Sequence, residues 1–280
     1  MIIDKETNRV YFSDLIRTNI EYKDVFKRIQ SILDKYSVDY NFLFDTKDIW
    51  CRDYMPIQKD VNKFVQFRYE PQYLKDDFNL QSNPNIVLQS NGIEAEFSNI
   101  NLDGGNVIRW SDKVIMTTRI FRENPTYERN ELIERIERIL EAEVLLIPDI
   151  TSDLTGHADG HVRFIDEKTL LVNKLENEYK YWTKGFLKMI KQTGLDFIEI
   201  PWFEHKDHPS TAIGDYVNYL EIGNLILFPI FDVKGDMDDK AVEIITNTFP
   251  DRIIETLIIN EIAKNGGLLN CITWTIKTEK

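Results

Sequence analysis

The sequence predicts an α/β fold. Three observations carry that expectation. Helix-like and strand-like segments alternate along the whole chain, the helices are few and widely spaced, and no linker or low-complexity tract divides the sequence. Four segments place apolar residues at helical spacing. Residues 22–36 put Val25, Ile29, Ile32 and Leu33 on one face. The second helix follows Asn124-Pro125, read as a cap and first-turn proline, and runs to about Ala142 with Leu132, Ile136, Ile139 and Leu140 inward. Residues 179–193 bury Trp182, Phe186 and Ile190, and residues 237–249 bury Ala241, Ile244 and Ile245. Between them lie short runs rich in Ile, Leu and Val at 114–118, 144–148, 169–173, 197–200, 225–228 and 253–259. Pro, Gly, Asp or Asn bounds each of them, the pattern of strands. Helices roughly 55 to 100 residues apart are more widely spaced than in a simple βα repeat. The spacing predicts units with several strands per helix.

A chain of 280 residues, 42% hydrophobic and 29% charged, can bury a sizeable core in one large domain or two modest ones. Its two cysteines, Cys51 and Cys271, do not make a secreted disulfide framework. A leader-like segment and an apolar run of about 18 residues are both missing, so the expectation is a soluble, cytoplasmic protein without a membrane partner. The net charge of −13 argues against nucleic acid, which needs a basic surface. It favours approach of a small cation, although an acidic surplus also serves solubility. Neither a G-x-G-x-x-G turn after a strand nor a G-x-x-x-x-G-K loop occurs, so nucleotide-binding folds lose support.

Polar islands interrupt the apolar strand ends at 48–56, 102–106, 155–164 and 265–271. Chemistry tends to sit on such loops, held by a rigid scaffold. Cys271 follows the Gly266-Gly267 pair and precedes a strand-like Ile272-Thr273-Trp274. Paired glycines allow close backbone approach to a ligand, and a thiolate there would face a cavity. A free cysteine is more commonly a small buried hydrophobe. Cys51 alternates with Trp50 and Arg52 and reads as a packed strand residue. His157 is the acid–base candidate, since an imidazole titrates at about 6.5. In an extended segment Asp159 would share its face, about 7 Å away, and His161 would follow on the same face. A His157/His161 metal pair is disfavoured, because Gly156 and Gly160 oppose a helix and the glutamate of zinc proteases is absent. His205 and His208 read as loop residues. Asp53, three residues after Trp50, could pair with a cation while the ring covers its stem, or form a surface pair with Arg52 or a turn before Pro56. Asp103 before two glycines could be a hairpin-turn residue.

Taken in order, the islands resemble the guanidino-group-modifying enzymes of the pentein family, most of all the agmatine deiminase and bacterial-type peptidylarginine deiminase branch. The resemblance rests on Trp50, Arg52, Asp53 and Pro56; on Asp103-Gly104-Gly105; on Gly156-His157, Asp159 and Arg163-Phe164; on Tyr216-Val217-Asn218; and on Gly266, Gly267, Cys271, Ile272 and Thr273. It covers residues 45–275. It implies a five-bladed α/β propeller of ββαβ-type repeats, a single catalytic domain over residues 1–280, around a polar central site. This agrees with several strands per helix. Asn270 stands where agmatine deiminases commonly have histidine, Tyr54-Met55 replaces a residue and a glycine, and Asp103 replaces a frequent glutamate. These departures bear on the substrate more than on the reaction class.

The resemblance implies that Asp53 and Asp159 grip a guanidinium by paired N–H bonds, that Cys271 attacks its central carbon, and that His157 protonates the departing ammonia and then activates water. Trp50, Asp103 and Asn218 would shape the substrate pocket. Arg68 would meet a substrate carboxylate, or else simply pair with Glu70 or Asp76, and in the first case the chain prefers arginine-like compounds to agmatine. The expected partner is a small cationic guanidine, with no metal or organic cofactor, and the oligomeric state is left open. Activity would rise and fall around neutrality. An amidinotransferase, a silent guanidine-binding protein and a metallohydrolase using His157 and His161 are the alternatives.

Overall fold

The computed structural model describes residues 1–204, 211–233 and 235–279. His205 and His208 lie outside the described residues. Strand β1 (Arg9–Ser13), helix α1 (Lys23–Lys35) and strand β2 (Asp39–Leu43) begin the chain. Four repeats follow: β3 (Ile57–Asp60), β4 (Lys63–Arg68), α2 (Pro84–Ser90), β5 (Glu96–Asn101); β6 (Ile108–Arg109), β7 (Lys113–Thr117), α3 (Arg129–Leu140), β8 (Glu143–Ile147); β9 (Val162–Phe164), β10 (Thr169–Asn173), α4 (Lys180–Thr193), β11 (Asp196–Ile200); and β12 (Leu220–Ile222), β13 (Leu225–Ile230), α5 (Met237–Thr248), β14 (Ile253–Ile258). The last strand, β15 (Trp274–Ile276), returns to pair antiparallel with β1. Among the described residues the fifteen strands therefore make five three-stranded sheets. The five ββαβ modules implied by the family resemblance are present, one of them assembled from the two ends of the chain.

Each module follows one rule. The first strand pairs antiparallel with the second, and the third pairs parallel with the second. Antiparallel neighbours can be joined by a tight turn, whereas parallel neighbours need a long crossover, and the helix supplies it. The middle strand is flanked on both sides, so it reads as an apolar run: Val114-Ile115-Met116, Leu170-Leu171-Val172 and Leu225-Ile226-Leu227-Phe228 are all buried. The helices bury one stripe each: Val25, Phe26, Ile29 and Leu33 in α1; Leu132, Ile136 and Leu140 in α3; Trp182, Phe186 and Met189 in α4; Ala241 and Ile245 in α5. The largest apolar cluster joins β1 and α1 to β13 and α5, so the first and last modules share a core. No helix among the described residues is long and apolar enough to cross a membrane.

Two local expectations change. Asn124-Pro125 does not cap α3, which starts at Arg129 after Glu128. The Asn124 side chain is already engaged, bonding the backbone N–H and carbonyl of Asn101 and the carbonyl of Ile120. The same dipeptide does cap a helix at 83–84, where Asn83 Oδ1 accepts the Asn85 N–H at 3.0 Å and Pro84 opens α2. That seven-residue helix is too short for a periodic signal, and its omission widened the gap between the first two expected helices. Cys51 is packed, but it opens a helical turn, Cys51–Tyr54, instead of lying in a strand.

Trp274 ties β15 into the body: its indole N–H donates to the Pro56 carbonyl at 2.7 Å in a buried setting. Trp274→Phe keeps an aromatic ring and strands that carbonyl. It is expected to lower unfolding stability by about 1–3 kcal/mol, measured by urea titration. An unchanged midpoint would mean this bond contributes nothing.

Candidate active site

Every polar island occupies the same place in its module, the loop that leads into the module's first strand. The turn Cys51–Tyr54 precedes β3, Gly104–Asn106 precedes β6, Ala158–Gly160 precedes β9, Asn218 precedes β12 and Cys271 precedes β15. One structural position, used five times, gathers residues that are far apart in sequence.

The loops are stitched to one another. The Arg52 backbone N–H donates to the Cys271 carbonyl at 3.1 Å, and Cys51 Sγ donates to the Ile272 carbonyl at 3.1 Å. Asn106 Oδ1 accepts the N–H groups of Thr117 and Ala158. Gly105 lies where Asp53, His157 and Asp159 converge. Its N–H donates to Asp53 Oδ1 at 3.0 Å. A Cβ at Gly105 would sit 2.6 Å from both Asp53 Oδ1 and His157 Nδ1, and 3.3 Å from Asp159 Oδ2. Only glycine leaves room for that convergence.

His157 is held between two acids. Its Nε2 lies 2.9 Å from Asp103 Oδ2, and its Nδ1 lies 3.4 Å from Asp53 Oδ1. Asp53 Oδ2 also accepts the Tyr73 hydroxyl at 3.5 Å, and the Tyr73 ring stands edge-on to the imidazole. On the other side, Cys271 Sγ lies 3.6 Å from Asp159 Oδ2 and 3.2 Å from Asn218 Nδ2, which donates to it. Asn270 Nδ2 donates to the same Asp159 oxygen at 2.8 Å.

The electrostatics follow from burial and crowding of like charge. Burial first, then the neighbouring Asp103 and Asp159 carboxylates, push Asp53 well above the usual carboxylate range, with His157 opposing them. Burial disfavours the imidazolium, but Asp53, Asp103 and Asp159 outweigh it and raise His157 above its ordinary value. Burial pushes the Cys271 thiol up, and Asp159 and Asp53 push it further, while the Asn218 contact works the other way. Burial and the neighbouring acids thus favour the protonated form of the thiol. A planar cation would satisfy the carboxylates and favour the thiolate at once.

The structure brings together Cys271, His157, Asp159, Asp53, Asp103 and Asn218. Asp103 is bound to His157, and opens the turn Gly104–Asn106 instead of a hairpin. Asp53 is buried in a helical turn and faces His157 instead of forming a surface pair with Arg52. His157 caps a 3₁₀ turn, Ala158–Gly160, and Asp159 lies inside it, so the segment is not an extended strand. His161 consequently turns away, to Glu178 at 3.4 Å and Asp153 at 3.8 Å, so the two histidines face different acids. Trp50 packs against Gly267, whose missing side chain admits the indole; that glycine serves a packing contact. Arg68 ends β4 half-exposed, 3.6 Å from Glu70, although its carbonyl accepts the N–H of Leu102, next to Asp103. Tyr73 and Asn106 escaped the sequence reading. Tyr73 sits in an irregular, charged stretch with no periodicity, and Asn106 differs from a turn asparagine only through its long-range partners.

A family model, Porphyromonas-type peptidyl-arginine deiminase, matches residues 10–276. A "putative agmatine deiminase" of Mycoplasma capricolum is 27% identical over 230 residues, covering 66% of this chain and 62% of that protein. One of Pectobacterium atrosepticum is 39% identical over 71 residues, covering 25% of this chain and 19% of that protein. The matched stretches thus span less than two thirds of these relatives. Among solved structures, a variant agmatine deiminase of C. jejuni with substrate bound superposes with a TM-score of 0.78 at 17% identity, covering 100% of this chain and 96% of that one. The agmatine deiminase of Enterococcus faecalis gives 0.76 at 14% identity, covering 98% and 94%. At such identities the likeness is one of fold.

The raised thiol gives a direct expectation. Alkylation of Cys271 by iodoacetamide is slow at pH 7 and accelerates above pH 9, and millimolar guanidinium chloride speeds it at pH 7 by placing a cation beside the sulfur. Cys51, bonded to two carbonyls, stays unreactive until unfolding. Mass spectrometry of the labelled peptides checks both; rapid labelling of Cys271 at pH 6 without guanidinium contradicts the electrostatics.

Proposed function

The chain belongs to the Porphyromonas-type peptidyl-arginine deiminase family, and from that premise we propose that it hydrolyses the guanidine group of agmatine or an arginine derivative to a ureido product and ammonia. The observation that carries this reading is the pairing of a half-buried thiol, Cys271, with a histidine bracketed by acids and with two carboxylates that converge on Gly105.

Asp53 and Asp159 accept N–H bonds from the flat guanidinium and fix its plane. Its charge draws the Cys271 thiol to thiolate, the thiol proton passing to solvent, and Sγ bonds to the central carbon as the C=N electron pair moves onto nitrogen. A C–N bond then breaks, and the leaving nitrogen takes a proton from the His157 imidazolium to depart as ammonia. The carbon remains bound to sulfur as a thiouronium. Neutral His157 takes a proton from water, the hydroxyl adds to that carbon, the C–S bond breaks and the thiol is restored. Asp103 keeps the imidazole oriented through both halves. No step calls for an added cofactor.

The charge pattern sets the pH dependence. Turnover needs Asp53 ionised and His157 protonated in the free enzyme. Both groups are raised, so kcat/KM rises as Asp53 loses its proton and falls as His157 loses its own. The bell should lie on the alkaline side of neutrality; an optimum below pH 6 would refute the assignment of these two groups.

Incubation with agmatine, arginine, C-terminal-arginine peptides and methylated arginines, read out as ureido product and free ammonia, tests the reaction itself. Cys271→Ser should reduce turnover by about a thousandfold or more, and Asp53→Asn should chiefly raise KM. Full activity of Cys271→Ser on every substrate would sink the nucleophile. Transfer of the amidino group to an added amine would instead indicate an amidinotransferase. Arg68 is the candidate contact for a substrate carboxylate, although it is already paired with Glu70. Arg68→Ala should impair a C-terminal-arginine dipeptide selectively; equal effects on dipeptide and agmatine would remove that role.

A further inference from the structure

We propose that Asp4, Arg163 and Asn270 form a buried relay that fixes the Asp159 carboxylate toward Cys271, making all three positioning residues of the site. The inference rests on the proposed reaction only for its activity readout. Each link is short. Asp4 Oδ2 accepts Arg163 Nη2 at 2.7 Å, Asn270 Oδ1 accepts Arg163 Nη1 at 3.1 Å, and Asp159 Oδ2 accepts Asn270 Nδ2 at 2.8 Å. The same Asp159 oxygen lies 3.6 Å from Cys271 Sγ.

The chemistry of an amide gives the relay its direction. Asn270 has one accepting end and one donating end, while a guanidinium only donates. Arg163 therefore takes Oδ1, and the NH₂ is left to face Asp159. A flipped amide would set carbonyl against carboxylate and NH₂ against guanidinium. Arg163 is itself fixed on several sides: by Asp4, by the Tyr219 carbonyl at 3.0 Å and by the Tyr219 ring 4.5 Å away. Asp4 is shared with Arg109, whose Nη2 lies at 2.8 Å. Burial would raise the Asp4 carboxyl, but Arg109, Arg163 and Arg52 outweigh it and keep it ionised far below its usual range. Arg163, Asn270 and Asp159 are each no more than 5% exposed, so water cannot replace a lost partner freely.

The relay predicts a particular failure. Arg163→Lys keeps the charge and loses the fork; Asn270→Leu removes the amide with no change in formal charge. In each, Asp159 loses its fixed donor and holds the thiol proton more strongly. We expect kcat/KM to fall about tenfold or more in both, and the apparent pKa for Cys271 alkylation to rise by about half a unit or more. The double variant should be no worse than the worse single, because both act through one line. Asp4→Asn, in a turn at the rim, should move both readouts in the same direction. Asp39→Asn, a surface partner of Arg9, should move neither. Thermal unfolding of each variant shows that it is folded, and Asp4→Asn carries the test if a buried substitution is not. Effects that multiply in the double variant, or singles within twofold of wild type with an unmoved alkylation pKa, overturn the relay. If the wild type turns over no guanidine, the functional reading falls and the alkylation pKa alone judges the relay.

Discussion

Three carboxylates, Asp53, Asp103 and Asp159, are buried around one imidazole. Removing charge from water is costly unless every group finds partners, and here a single histidine cannot balance three acids. The surrounding structure answers that constraint with neutral donors: the Gly105 N–H to Asp53, the Asn270 amide to Asp159, the Tyr73 hydroxyl to Asp53. What the donors leave uncompensated is negative charge. A cation would offset that charge, and a guanidinium, flat and rich in N–H groups, matches both sign and geometry.

The five-module scaffold makes this burial possible. A loop alone cannot hold a charged side chain in place against water. Here each loop is tied at one end to the first strand of a module and along its length to the loops of other modules, as Arg52 is to Asn270 and Cys271, and Asn106 to Ala158. Repetition of one supersecondary unit brings the same kind of position to the centre five times. The acids, the imidazole and the thiol can then come from different modules without a long structureless segment to carry them.

Much of this was legible in the sequence, for identifiable reasons. The strands β7, β8, β10, β11, β13 and β14 and the long helices announced themselves because each writes a dense apolar pattern, whereas β1, β2, β4 and β5 interleave polar or charged residues with their apolar ones and did not. The short β3, β6, β9 and β12, two to four residues long and next to polar loops, did not either, and the run Ile272-Thr273-Trp274 places β15 two residues early. The islands stood out as polar residues where apolar ones were due, and their order carried the family resemblance. Local geometry was less readable. His157 and Asp159 fit either an extended segment or a 3₁₀ turn, and only the packing against Gly105 selects the turn. The partner of Asp103 and the anchor of Asn270 are 54 and 107 residues distant, so no window of sequence could show them. Asp4 is more remote still: in the sequence it is one acid among many near the start, and its value comes entirely from meeting Arg109 and Arg163.

Cys271 inherits this dependence on distant contacts. Cys271 lies three residues before β15, and β15 is held by pairing with β1, by the Trp274 bond to Pro56 and by Arg109, which donates to Thr275. Asp4, a few residues before β1, reaches across to the same centre. The thiol and the outermost link of the relay thus take their positions from one sheet that joins the chain's two ends. Contacts of such sequence separation must close large loops before they are rewarded, which favours their forming after more local pairings. The acids of the inner modules can assemble earlier from more local pairings, but their charge is contained only when the Asn270 amide arrives beside Asp159. Formation of the reactive centre and relief of its buried charge are, on this geometry, the same step.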